Sequence, residues 1–146
     1  MTVTPLTPNA SRVQLGIALL RLVLGVVFLA HGIQKLFVFG HGGVTAAFAQ
    51  MGVPSPELMA TLATAIELLC GIALIVGIVT RYAAVLLAIE MFLAIVFVKA
   101  RGGFFLPNGA EYELTLCIAL VALVLTGPGA LALEHALTRR DARVSR

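Results

Sequence analysis

The chain has 146 residues, 60% of them hydrophobic and only 12% charged, with a mean hydropathy of +1.06. Soluble domains sit near ~45–50% apolar and ~25% charged, so a water-soluble globule is excluded and a single-domain integral membrane protein is expected. A formal charge of +3 is no nucleic-acid footprint here, because Arg139, Arg140, Arg143 and Arg146 all fall in the last eight positions, where membrane orientation explains them.

Residues 1–12 are polar and proline-bearing and read as a short cytoplasmic tail; residues 13–133 read as the membrane domain. Its first apolar run spans Val13 to Phe37, the second Leu58 to Val79, the third Tyr82 to Val98 and the fourth Tyr112 to Leu133. Each approaches the ~20 residues that a helix needs to cross a bilayer, and such long uniform runs exclude barrel strands. The fold expected is all-α, a polytopic four-transmembrane-helix bundle. Between the first two runs, Val44, Ala47, Phe48 and Met51 recur at helical spacing behind Gly40, Gly42 and Gly43, which predicts a short interfacial helix in the first external loop. Only Thr80 and Arg81 join the second and third runs, so these form a tight hairpin. Residues 134–146 read as a basic cytoplasmic tail.

Four spans put both termini on one side, which holds Arg12, Arg81, Arg139, Arg140, Arg143 and Arg146, against Lys35, Lys99 and Arg101 on the other. Six against three predicts cytoplasmic termini.

Every apolar run carries an ionisable residue: Arg21 and Lys35 in the first, then Glu67, Glu90 and Glu113 in the other three. Each costs at least ~2.5 kcal/mol in hydrocarbon, so such groups are paired, functional or both. Arg21, Gly25, Phe28, Gly32 and Lys35 form one stripe at 4-3-4-3 spacing, with His31 beside it. Depth along the helices places Arg21 about four residues, or ~6 Å, from the level of Glu67 and Glu90. An Arg21–Glu67–Glu90 cluster is therefore expected at mid-membrane, and a second polar layer of His31, Lys35 and Glu113 nearer the outside. Two carboxylates facing one guanidinium leave one over, assigned to Glu90, as a proton-carrying group. The bland alternatives are a purely structural ion pair in the inner layer, a hydrogen-bonded core histidine at His31, and snorkelling at Lys35 and Lys99.

Cys70 and Cys117 form no CxxC and lie about 10 Å apart in depth, beyond disulfide reach. With one histidine inside a span, no Cys/His cluster and no phosphate-binding glycine pattern, the chain offers no cofactor motif and no metal site.

Arg21, Gly25 and Phe28 followed by His31-Gly32-x-x-Lys35 resemble the first helix of DoxX proteins. Gly52-Val53-Pro54, Glu67-x-x-x-Gly71, Gly77-x-x-Thr80-Arg81, the Glu113 start and the Gly127-Pro128-Gly129 close continue the resemblance over most of residues 16–134. It implies a four-helix protein of the bacterial inner membrane, a subunit or accessory of a quinone-linked or thiol-linked oxidoreductase system. Quinone is the cofactor implied, and oxidoreductase subunits or further copies of the chain are the partners implied besides the lipid bilayer. The competing readings are a small proton-coupled carrier or channel for a solute or lipid, and a structural scaffold.

Overall fold

The computed structural model describes residues 9–99 and 102–135. Helix α1 covers Ala10–Ile33 and starts where the Asn9 side chain accepts the backbone N–H of Ser11 at 3.1 Å, the usual way an orphan first-turn donor is satisfied. It therefore begins inside the expected N-terminal tail. Its last turn widens without interruption into a π-helical segment, Gln34–Phe39. Gly40, at a φ of 66° that only glycine adopts cheaply, then redirects the chain into α2, Gly40–Gln50. Pro56 opens α3, Pro56–Val76, from a first-turn position where its missing N–H costs nothing. Gly77 closes α3 in the left-handed region, with its N–H on the carbonyl of Ala73. Helix α4, Thr80–Ala94, follows almost at once and also widens into a π-helical segment, Ile95–Lys99. Helix α5 covers Glu111–Thr126.

The described residues contain helices and no strands. Three helical stretches are long and apolar enough to cross a membrane: Ala10–Gln50, Pro56–Val76 and Thr80–Lys99. The fourth apolar run yields a helix of 16 residues rather than one reaching Leu133, because Gly127, with φ 84°, and Pro128 end it. The expected helix between the first two runs is present as α2, but it packs along α3, with His41 Nε2 2.9 Å from Thr61 Oγ1.

Helix α1 lies against α3, α4 against α5, and α3–α4 and α1–α5 contacts complete the packing. The α1–α3 seam is made by glycine. A Cβ on Gly71 would stand 2.7 Å from the backbone N of Leu29, and one on Gly25 2.9 Å from the carbonyl O of Gly71. In lipid there is little hydrophobic drive between helices, so close backbone approach at small residues supplies the packing instead. Between the helices, Leu24, Phe28, Leu74, Leu87, Leu120 and Leu123 form the apolar core. Outside it, leucines, valines and phenylalanines stay exposed along α1, α3, α4 and α5, Leu69 and Leu125 among them, as a surface made for lipid requires.

Candidate functional site

The first and last apolar helices carry charge to opposite ends of the molecule. In an α-helix each Cα–Cβ bond tilts toward the N-terminus, so long side chains reach backward along their own helix. Arg21 therefore leans toward the end that holds the described termini, away from the glutamates. Lys35, 14 residues or ~21 Å farther along the chain, leans back toward the middle of the helix stack. Glu67, on the antiparallel α3, leans the other way and meets it.

The outcome is an ion triad. Lys35 Nζ lies 2.6 Å from Glu67 Oε2 and 3.9 Å from Glu90 Oε1. Their side chains are 19%, 3% and 13% exposed, respectively. The expected Arg21–Glu67–Glu90 cluster is not formed; Lys35 takes the place of Arg21, and its ammonium is an ion-pair partner rather than a snorkelling end group. Lys99 behaves likewise, with its Nζ 3.6 Å from Glu113 Oε1 and donating to the carbonyl of Pro107 at 3.3 Å. Both lysines sit in the two π-helical segments. A π turn offsets the residues that follow it relative to a regular helix, a geometry frequent at functional sites.

Lys35, Glu67, Glu90 and Glu113 share one cavity of about 440 Å³. Its walls are apolar and come from every helix: Val27 and Phe28 of α1, Phe48 of α2, Met59, Leu62 and Ile66 of α3, Ile89 and Met91 of α4, and Leu116 of α5. The polar lining is His31, Lys35, Glu67, Glu90, Tyr112 and Glu113. The two expected polar layers, apart from Arg21, are therefore one site. His31 Nδ1 is 2.9 Å from the carbonyl O of Val27; a carbonyl only accepts, so Nδ1 carries a proton and donates it there. The His31 and Tyr112 ring centroids are 6.3 Å apart. Oε2 of Glu90 and Oε2 of Glu113 are buried with no hydrogen-bond partner among the described residues. Leaving a buried acceptor unmet costs about 1–3 kcal/mol, so each of these oxygens calls for an explanation.

Arg21 belongs to the opposite end. It is almost fully buried and sits against Gly77, where any Cβ would overlap its guanidinium. The carboxylate that acts on it electrostatically is Glu134. That residue, read from the sequence as the start of a tail, is folded into the body: its N–H donates to the carbonyl of Gly77 at 3.0 Å, and its Oε2 accepts the N–H of Thr80 at 3.2 Å. Ala130 N–H donates to the carbonyl of Gln14 at 2.9 Å. Residues 127–135 thus strap across this end of the helices. Arg139, Arg140, Arg143 and Arg146, together with Arg101, lie outside the described residues.

Sequence reasoning missed Tyr112 in the cavity and Glu134 as the charge opposite Arg21. The signal for Glu134 was the one that misplaced Arg21, the backward lean of helical side chains. Cys70 and Cys117 form no disulfide. Cys117 Sγ instead donates to the carbonyl of Ala88 at 3.6 Å, and Cys70 is part of the core.

Residues 16–100 match the model of the DoxX family. The chain is 35% identical to the uncharacterized membrane protein Rv3486 of Mycobacterium tuberculosis, covering 83% of this chain and 80% of that one. It is 36% identical to the putative oxidoreductase CatD of Bacillus subtilis, covering 83% and 86%, and 35% identical to an uncharacterized protein of Haemophilus influenzae, covering 82% and 88%. No solved structure matches the chain. A family model covering more than half of the sequence, and relatives aligned over most of both lengths, lead to one statement: the chain belongs to the DoxX family of membrane proteins.

Proposed function

We propose that this chain is the membrane subunit of a quinone-linked oxidoreductase system of the bacterial inner membrane, taking electrons from a thiol-oxidising partner subunit. The observation that carries the reading is the cavity. Its volume of about 440 Å³ lies within the ~300–1,000 Å³ of small-molecule sites, which pair apolar walls with a few placed polar groups. A substituted ring with the first units of an apolar tail fits such walls, and the Lys35 ammonium can donate to a ring oxygen. The name of the Bacillus relative, putative oxidoreductase, is in keeping with this.

A bound quinone supplies an acceptor for two electrons and two protons. The protein's own part is to bind, to exclude water and to move protons. Phe28, Ile66 and Met91 keep the ring plane dry. Lys35 offers an N–H to a ring oxygen while remaining pinned to Glu67. Glu90, held only at 3.9 Å, is the carboxyl most able to take up or give a proton, and His31 Nε2 and Glu113 continue the polar lining beyond it.

In the same reading, α5 is the fourth membrane crossing, its ~24 Å helix lengthened by the strap that follows it; α2 lies at the interface with its apolar face toward the cavity, and the termini face the cytoplasm. The competing carrier reading has the surplus carboxylate in its favour, but the strap over residues 127–135 closes the end that a through-path would need.

The test is purification in nanodiscs, with mass spectrometry of the co-extracted lipids and titration of a short-chain quinone by ligand-induced thermal shift. Co-purified quinone and a saturable shift that Lys35→Met abolishes are expected. Absence of both from a folded protein refutes the reading.

A further inference from the structure

The helices ring the cavity in the order α1, α3, α4, α5, and the four seams between them are unlike. Between α1 and α3 there is no gap, since a Cβ on Gly32 would stand 2.9 Å from the backbone N of Leu68. Between α4 and α5, Leu87, Leu116 and Leu120 are buried. The α1–α5 edge is polar, with the His31 and Tyr112 ring centroids 6.3 Å apart. The α3–α4 seam is apolar, and its residues do two things at once: Leu62 of α3 and Leu86, Ile89 and Leu93 of α4 line the cavity and are exposed on the bundle surface. Leu86, Ile89 and Leu93 follow three- and four-residue spacing and so share one face of α4. Leu62 and Leu93 are about equally far along their helices from the turn between α3 and α4, which sets them at one level of the seam. Behind this seam lie Glu67 and Glu90, at the middles of Pro56–Val76 and Thr80–Lys99. That is about 15 Å from either edge of a hydrocarbon core ~30 Å thick.

We infer that the cavity opens sideways into the bilayer through the α3–α4 seam, and that Leu62, Leu86, Ile89 and Leu93 hold the apolar tail of a membrane-dissolved quinone whose ring lies inside beside Lys35. This rests on the quinone-site reading above and adds where the tail lies and from which side the ligand arrives. Depth selects the occupant. Whatever fills the seam must present a polar head at mid-membrane and an apolar body to lipid. A phospholipid cannot, because its charged head is held at the bilayer surface and only its acyl chain reaches this level, with no acceptor to offer Lys35. A neutral ring on a long chain meets both demands, since the whole molecule dissolves in the hydrocarbon core and its ring oxygens accept hydrogen bonds.

The test uses the full chain in nanodiscs and two probes: a decyl-chain ubiquinone with a photoreactive diazirine on the chain, and the same ring with a methyl group in place of the chain. After illumination, peptide mass spectrometry should find labels on Leu62, Leu86, Ile89 or Leu93 that excess unlabelled decyl-chain ubiquinone suppresses. Leu62→Trp and Ile89→Trp, which fill the seam, should each weaken binding of the decyl probe about tenfold or more, as overfilling a packed site does, while the methyl probe still shifts the melting temperature as in the parent protein. Leu69→Trp, exposed on α3 but outside the cavity, should change neither. Suppressible labels only on other residues, such as the α1–α5 edge, overturn the inference and leave the quinone site standing. So does unchanged decyl binding in both folded seam variants, or a methyl-probe shift with no suppressible label anywhere. No shift by either probe and no suppressible label on folded parent protein overturn both.

Discussion

At the scale of single residues, the decisive feature is which cation reaches which carboxylate. Glu67 is 3% exposed, and Lys35 is its only ion-pair partner among the described residues. Removing one partner of a buried pair strands the other charge, a loss of about 3–5 kcal/mol, whereas removing both is far milder. Lys35→Ala should therefore lower the melting temperature strongly, and the double variant Lys35→Ala/Glu67→Gln should recover much of it; thermal denaturation of the two in the same detergent decides. Arg21→Ala separates the two ends of the molecule. It removes the charge facing Glu134 and should expose the strap at residues 127–135 to faster proteolysis, while quinone titration stays as in the parent protein. Loss of quinone binding in Arg21→Ala would show that the ends are coupled.

The residues that form this site were legible one by one, and their partners were not. His31, Lys35, Glu67, Glu90 and Glu113 stand out in the sequence because charge and imidazole are costly inside apolar runs. Pairing was judged from Cα depth along ideal helices, which puts Arg21 level with the glutamates. The end of a long lysine or arginine side chain lies well away from its Cα, and on antiparallel helices the backward lean acts in opposite directions. It separates Arg21 from Glu67 and joins Lys35 to it. Tyr112 escaped notice because a tyrosine at a span end is ordinary in any membrane protein.

At the scale of elements, the α1–α3 seam is the contact with least tolerance. The atoms that a Cβ on Gly71 would meet belong to the Leu29 backbone, 2.7 and 3.0 Å away, so no rotamer change relieves the overlap. Gly71→Val should cost at least the ~1–3 kcal/mol of ordinary overpacking and tilt the helices that hold Glu67 and Lys35 together. Gly16 is the internal control, since a Cβ there meets nothing within 4 Å. Gly16→Ala should be neutral or stabilise α1 by up to ~1 kcal/mol through helix propensity. Melting curves of both variants check the contrast. Element positions were readable from hydropathy alone, within a few residues at most ends. The exception is α5, where the apolar run continues to Leu133 but Gly127 and Pro128 stop the helix at Thr126. Composition over a window does not register a backbone that turns.

At the scale of the whole molecule, the two ends are unlike. One is strapped by residues 127–135 over a buried Arg21; the other carries the cavity, both π-helical segments and the loop from Gly102 to Ala110, pinned by the Leu106 N–H on Glu111 Oε1 at 2.9 Å. With four crossings, a reporter fused at the C-terminus and one inserted at Gly42 should report opposite sides of the membrane, the C-terminal one cytoplasmic. Same-side signals would remove α5 as a crossing.

The wide turns at Gln34–Phe39 and Ile95–Lys99 have a genetic meaning. A π turn is a helix holding one residue more than its α-helical period requires, so a single-codon deletion within Ile95–Phe97 should not shatter α4 but let it relax to the ordinary pitch. Everything after such a deletion keeps its facing, because the residue lost is the one the wide turn had absorbed, so Lys99 still reaches Glu113. A deletion in the regular part of α4, at Leu86, instead rotates all that follows by ~100° about the helix axis and carries Glu90 off Lys35; of the two in-frame deletions, the first should be tolerated and the second should not.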